Sequence, residues 1–108
     1  MSDDRRNKIQ AMLEASPEDQ TLRYMLAMEC DKAGEHEDSL RLFGELMEHA
    51  PPYVPAFLMA GQLLARLDRI AEAKATYAAG VIEANKQGND HAAGEMAAFS
   101  DTLPDDDS

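Results

Sequence analysis

Two stretches of this chain echo each other at a fixed offset, and that period constrains the fold more than any other feature. Ala33 to Met47 reads AGEHEDSLRLFGELM, and Leu67 to Val81 reads LDRIAEAKATYAAGV. Each is a turn, a polar helix start, a small residue and an aromatic four positions on. Ser39 precedes Phe43 and Ala73 precedes Tyr77, so the small and the aromatic positions both recur at an offset of 34. A period of that size marks stacked supersecondary units, each with an apolar side that only a neighbour can cover.

The chain has 108 residues, enough for one small domain, and 44% of them are hydrophobic, enough for a core. Alanine, leucine and methionine dominate that fraction, a composition that favours helices over strands. The formal net charge is −11, a field that repels phosphate backbones and anionic headgroups. Nucleic acid and membrane surfaces are therefore not expected partners. A single cysteine, Cys30, excludes an internal disulfide and any cysteine-based metal site. The first ten residues, MSDDRRNKIQ, carry no apolar leader, and no run is long enough to span a bilayer, so the expected location is the cytoplasm.

Read in order, the pattern gives about six helices and no strand. Residues 3–15 form an amphipathic helix with Ile9, Met12 and Leu13 on one side. Ser16 is expected to cap a second helix that opens with Pro17 and ends near Gly34. The third runs from about 35 to 48 with Leu40, Phe43, Leu46 and Met47 inward. His49-Ala50-Pro51-Pro52 breaks the chain, and the fourth helix carries Phe57, Ala60, Leu64 and Leu67. A turn at Asp68-Arg69 leads to a fifth with Ala73, Tyr77, Val81 and Ala84 inward. Gly88-Asn89 leads to a sixth, roughly 90–101, with Met96 and Phe99. Residues 103–108, LPDDDS, read as an acidic, flexible tail. The connections are short, so neighbouring helices should pack antiparallel.

These hairpins resemble the tetratricopeptide repeat, whose pattern is W-x2-L-G-x2-Y, then A-x3-F, then P, over a unit of the same period. The first copy reads Arg23-x2-Leu26-Ala27-x2-Cys30, then Ser39-x3-Phe43, then Pro51. The second reads Phe57-x2-Ala60-Gly61-x2-Leu64, then Ala73-x3-Tyr77, with Asn85 in the proline slot. Spacing is kept throughout, and residue type is kept best at the small slots and the second aromatic. Arg23 and Cys30 depart from the pattern. The resemblance implies an all-α fold, an α-α superhelix of stacked antiparallel hairpins. Full repeats would cover 20–53 and 54–87 within a single domain of residues 1–102. The N-terminal helix would be half of a truncated repeat and the last helix a cap.

No catalytic constellation stands out. His36, His49 and His91 are scattered, and Glu35, Glu37 and Asp38 sit where a helix start already favours acids. Cys30 falls on a buried face. No cofactor or metal site is expected, and neither is enzyme activity. In the family, the first helix of each hairpin lines a concave groove. Placed on that scheme, Tyr24, Met28 and Lys32 occupy the edge of the second helix, and Leu58, Gln62 and Arg66 that of the fourth, with Met96 extending the line. Apolar side chains flanked by two cations suit a peptide or protein partner with an acid at one end. Self-association into a homodimer through the same surface is the alternative, and so is cover by the last helix. A terminal-carboxylate clamp of the kind some family members use is not expected, because Tyr24, Met28 and Met59 stand where its polar groups would be.

Overall fold

The structure, a computed structural model, describes residues 2–105; Asp106 and Asp107 of the expected acidic tail lie outside them. The described residues form six helices and no strand: α1 (Ser2–Ala15), α2 (Gln20–Lys32), α3 (His36–Glu48), α4 (Val54–Arg66), α5 (Ile70–Lys86) and α6 (Asp90–Asp101). They fall into two compact units. The first, up to Pro51, holds α1 to α3; the second, from Pro52, holds α4 to α6.

The turns explain how the period is enforced. Gly34 and Asp68 stand one period apart, and both have positive φ, 80° and 61°. Beyond each, an amide reaches back along the chain: Glu35 N–H to the Cys30 carbonyl and Arg69 N–H to that of Leu64, both at 2.9 Å. Gly88, φ 76°, closes α5 the same way, with Asn89 N–H on the Ala84 carbonyl at 2.8 Å. This left-handed termination satisfies the last carbonyls and turns the chain into the next helix.

The start of α2 differs from the sequence expectation. Ser16 does not cap α2; its N–H bonds the Met12 carbonyl at 3.0 Å, so it finishes α1. Its own carbonyl accepts from Asp19 N–H at 3.0 Å in a turn through Pro17. Asp19 is the cap, its carboxylate accepting from Leu22 N–H at 3.0 Å. Asp and Ser are about equally good caps, and the turn decides between them.

In the first unit α2 packs between α1 and α3. Its buried face is Leu22, Leu26, Ala27, Glu29 and Cys30; that of α3 is Ser39, Leu42, Phe43 and Leu46. Leu42 joins this core, whereas Leu40 and Met47 are half-buried. Ser39 is small because α2 presses on it, and its hydroxyl donates to the Ala27 carbonyl at 2.7 Å. The bond gives a buried hydroxyl its partner. Arg6 on α1 grips Glu35 with two N–O contacts of 2.6 Å, and that hydrogen bond holds the Glu35 carboxyl below the usual carboxylate range.

A pH prediction follows from that pair. A depressed carboxylate pKa contributes stability above its ordinary value that is lost as pH falls through the folded one. The stability gap between the wild type and Arg6→Ala should therefore be open at pH 7 and should close on acidification below the depressed Glu35 value. Urea melts of both proteins across that range check it; a gap independent of pH would show that the pair does not act through Glu35 ionisation.

The second unit is built on close approach. A Cβ on Gly61 of α4 would lie 2.7 Å from the Cδ1 and Cζ atoms of Tyr77, so α5 can lay that ring on α4 only over a glycine. A Cβ on Gly80 of α5 would lie 2.6 Å from that of Phe57 and 3.0 Å from the Met96 Cε. Gly80 thus belongs to the buried face with Ala73, Tyr77 and Ala84, while Val81 is only half-buried. Two glycines at helix crossings let α4 and α6 both close on α5. Met96 is fully buried in this contact and cannot extend an exposed line, a correction to the sequence expectation. Phe99, the other large apolar residue read on this helix, is 40% exposed. Beyond α6 the chain stays close to its unit: Leu103 is half-buried, and the Asp105 carboxylate is 3.7 Å from the Lys74 amine.

Candidate functional site

The six residues singled out from sequence occupy three register positions, each repeated one period on: 24 and 58, 28 and 62, 32 and 66. Both sets flank the buried face of their helix. Tyr24 and Met28 are half-buried on α2, and Lys32 is exposed in its last turn. Leu58 and Gln62 are half-buried on α4, with Arg66 exposed at its end.

In the first unit, Tyr24, Met28 and Lys32 line a cavity of about 230 Å³ together with Arg5, Met25 and Glu29. The Tyr24 ring tilts at 57° against Phe43, with centroids 6.1 Å apart, so it also belongs to the hairpin core. Glu29 is only 5% exposed and forms an ion pair with Arg5 of α1. Sequence reasoning missed this acid. Its position was the signal, three places after Leu26 and seven after Leu22 on the apolar stripe. A buried carboxylate needs a compensating cation, and α1 supplies it.

In the second unit, Gln62 and Arg66 line a cavity of about 300 Å³, and the rest of its wall includes Tyr77, Phe99, Thr102 and Leu103. Leu58 is not part of this lining. Phe99 lies nearly parallel to Tyr77, at 16° and 6.3 Å between centroids. Burial pushes the Tyr77 hydroxyl pKa up. Tyr77, Phe99, Thr102 and Leu103 were not among the expected site residues. The repeat pattern marks Tyr77 only as core, and nothing in the α6 sequence shows that Phe99 stays half in solvent.

The remaining chemistry is that of structural side chains. His36 faces Asp31 at 3.4 Å, exposed His91 lies 3.6 Å from Glu95 one turn on, and His49 Nδ1 is 3.0 Å from the Pro51 carbonyl. Cys30 is buried, and desolvation raises its thiol pKa, away from the reactive thiolate. A larger cavity of about 490 Å³ lies beside Asp68 to Glu72, and its Arg69 and Glu72 already bind each other at 2.6 and 2.9 Å. Among the described residues, no group of histidine, cysteine or acidic side chains is placed to hold a metal ion, and no helix is long and apolar enough to cross a membrane.

The chain is similar to two solved structures. A solution structure of a tetratricopeptide repeat domain protein from Salinibacter ruber is 38% identical, with a TM-score of 0.73; the match covers 78% of this chain and 85% of that one. A crystal structure of a tetratricopeptide repeat domain protein from the same organism is 36% identical, with a TM-score of 0.68, covering 76% and 92%. No protein-family model matches, and no curated protein matches.

Proposed function

This chain belongs to the tetratricopeptide repeat family, and on that premise we propose that it is a non-catalytic module that binds a peptide or a partner protein. The observation that carries the proposal is the repeated edge. Tyr24, Met28 and Lys32 on α2 and Leu58, Gln62 and Arg66 on α4 hold the same three register positions. Each set puts large side chains beside the buried face rather than in it, and each ends on a cation. A partner that buries the part of each large side chain still in water gains a share of the roughly 1.5–3 kcal/mol that full burial is worth. The proposal includes the repeat assignment: full repeats over 20–53 and 54–87, α1 as the second helix of a truncated repeat, and α6 as the cap.

Met28→Lys with Leu58→Lys tests this reading. Both sites are half-buried, so the double variant should keep its helical circular dichroism and melt within a few degrees of the wild type. It should lose capture of the protein that the wild type retains from a lysate of its source cells. Lys32 and Arg66 make salt a second handle, because pairing with an acid on the partner weakens as ionic strength rises. A folded double variant that captures the same protein would move the site elsewhere. The alternative, assembly of the chain with itself through the same residues, is separated by sedimentation: a monomer at millimolar concentration excludes it.

A further inference from the structure

In the first unit, α1 is the most loosely held helix. Of its described side chains only Ile9 is buried, while Arg6 and Leu13 are half-buried. It packs on α2 less extensively than any other two consecutive helices within a unit pack together. Nor is the seam filled. A cavity of about 450 Å³ lies between Asp4, Arg5, Lys8 and Ile9 of α1 and Met25 of α2. Met25 also borders the cavity of about 230 Å³ beside Tyr24 and Met28. Helices with few buried apolar contacts are the ones that open before the rest of a domain.

Charge does much of the holding. Arg5 pairs with the buried Glu29 of α2, and Arg6 grips Glu35 at the start of α3 through two contacts of 2.6 Å. Those acids belong to an acidic stretch: residues 29–38 carry Glu29, Asp31, Glu35, Glu37 and Asp38 against one lysine, Lys32. With α1 lifted, its face on the hairpin would present two carboxylates without their arginines, beside the adaptable side chain of Met25. The docked helix shows what fits there. It reads Arg5-Arg6-x2-Ile9-x3-Leu13, two adjacent cations followed by apolar residues one turn apart. Amphipathic helices with anchors at such spacing bind apolar grooves.

We propose that this face of α2 is a second binding surface, for an arginine-bearing amphipathic helix of a partner, and that α1 occupies it as a built-in competitor. The partner's helix binds only the molecules in which α1 has lifted, so docking of α1 lowers its apparent affinity. The chain's net charge of −11 attracts a cationic helix and speeds the encounter. This face adjoins the Tyr24, Met28 and Lys32 edge without including it, so the proposal goes beyond the edge reading.

The probe is a capped peptide copying residues 2–15 with alanine in place of Asp3, Asp4 and Glu14, which leaves Arg5, Arg6 and Lys8 as its charges. NMR titration of the full chain reads binding at the Met25 methyl and the Glu29 amide. Arg5→Gln with Arg6→Gln removes the competitor's grip and leaves Glu29 uncompensated beneath α1, so this variant should bind the peptide about tenfold more tightly than the wild type. Adding Glu29→Gln to that variant takes the acid from the peptide alone and should weaken binding about tenfold. Hydrogen exchange gives a reading that needs no variant: α1 amides of the wild type should exchange faster than those of α2 and α3, and faster still as salt rises. Equal or weaker binding by the double variant, indifference to Glu29→Gln, or α1 amides as protected as those of α2 would each overturn the proposal. Peptide-free shifts of Met25 that grow with protein concentration would assign the face to α1 of a second copy and overturn it as well. Partner capture that Met28→Lys with Leu58→Lys abolishes, with no binding of the peptide, would leave the edge reading standing and remove only this second surface.

Discussion

Gly61→Leu is expected to destabilise the protein by about 1–3 kcal/mol, the cost of overpacking a filled crossing. Even the first carbon of the new side chain meets the ring of Tyr77, with Cδ1 and Cζ at 2.7 Å. That ring also stacks on Phe99, so moving it off α4 disturbs a second contact. The strain must be met by shifting the ring or by separating α4 from α5. Gly94→Ala is the matched control. Nothing lies within 4 Å of a Cβ at that position, and Gly94 sits inside α6. Alanine there should stabilise by roughly 0.5–1 kcal/mol, through helix propensity alone. Chemical denaturation of the two variants should thus give shifts of opposite sign. Shifts of the same sign would contradict the packing account of Gly61.

Removing α6 should cost more. A chain ending at Gly88 uncovers the side of α5 that Met96 closes, and with it Tyr77 and Phe57. Fully re-exposing two large aromatic side chains would cost roughly 3–6 kcal/mol at about 1.5–3 for each, and partial exposure a share of that. Whole domains are stable by only about 5–15 kcal/mol, so the loss is a large fraction. The melting temperature should fall by on the order of 15 °C or more. A chain ending at Leu103 gives up the exposed pair between Lys74 and Asp105, and such pairs are worth about 0–1 kcal/mol. Its thermal melt should nearly overlay that of the full chain. Equal melts for all three would show that α6 does not cap the second unit.

Those predictions depend on features of unequal visibility in the sequence. The repeated offset was legible because turn, small residue and aromatic each have a separate physical reason to recur. Gly34 and Gly88 were legible as helix stops because glycine tolerates positive φ; Asp68, in the same conformation, was marked only as a turn. The choice between Ser16 and Asp19 as cap was not legible, since both residues are good caps and only the intervening turn selects one. Glu29 hid for a different reason. A carboxylate on an apolar stripe makes sense only with the Arg5 of another helix beside it, and periodicity carries no information about such pairs.

The candidate site was legible as a pattern of residue types, not as a cavity. Tyr24, Met28 and Gln62 stand out because they flank a buried face, which a helical period reveals. The pocket at Gln62 and Arg66 also needs Phe99 and Leu103, and their placement depends on how α6 closes over Gly80. Spacing alone does not separate Phe99 from Met96 on α6. Phe99 is half in solvent because Ala93 and Met96 already fill the contact with α5.

The central claim is that the α4 edge, and not the outer face of α5, meets a partner. A photo-reactive benzophenone amino acid placed at Leu58, and separately at Ile82, tests it most directly. Leu58 is half-buried on that edge, whereas Ile82 is 60% exposed on α5 and gives an equally apolar control. Irradiation in a lysate of the source cells should give a discrete adduct with another protein from position 58 and none from position 82. Adducts from Ile82 alone, or from Leu58 only with a second copy of this chain, would contradict the account.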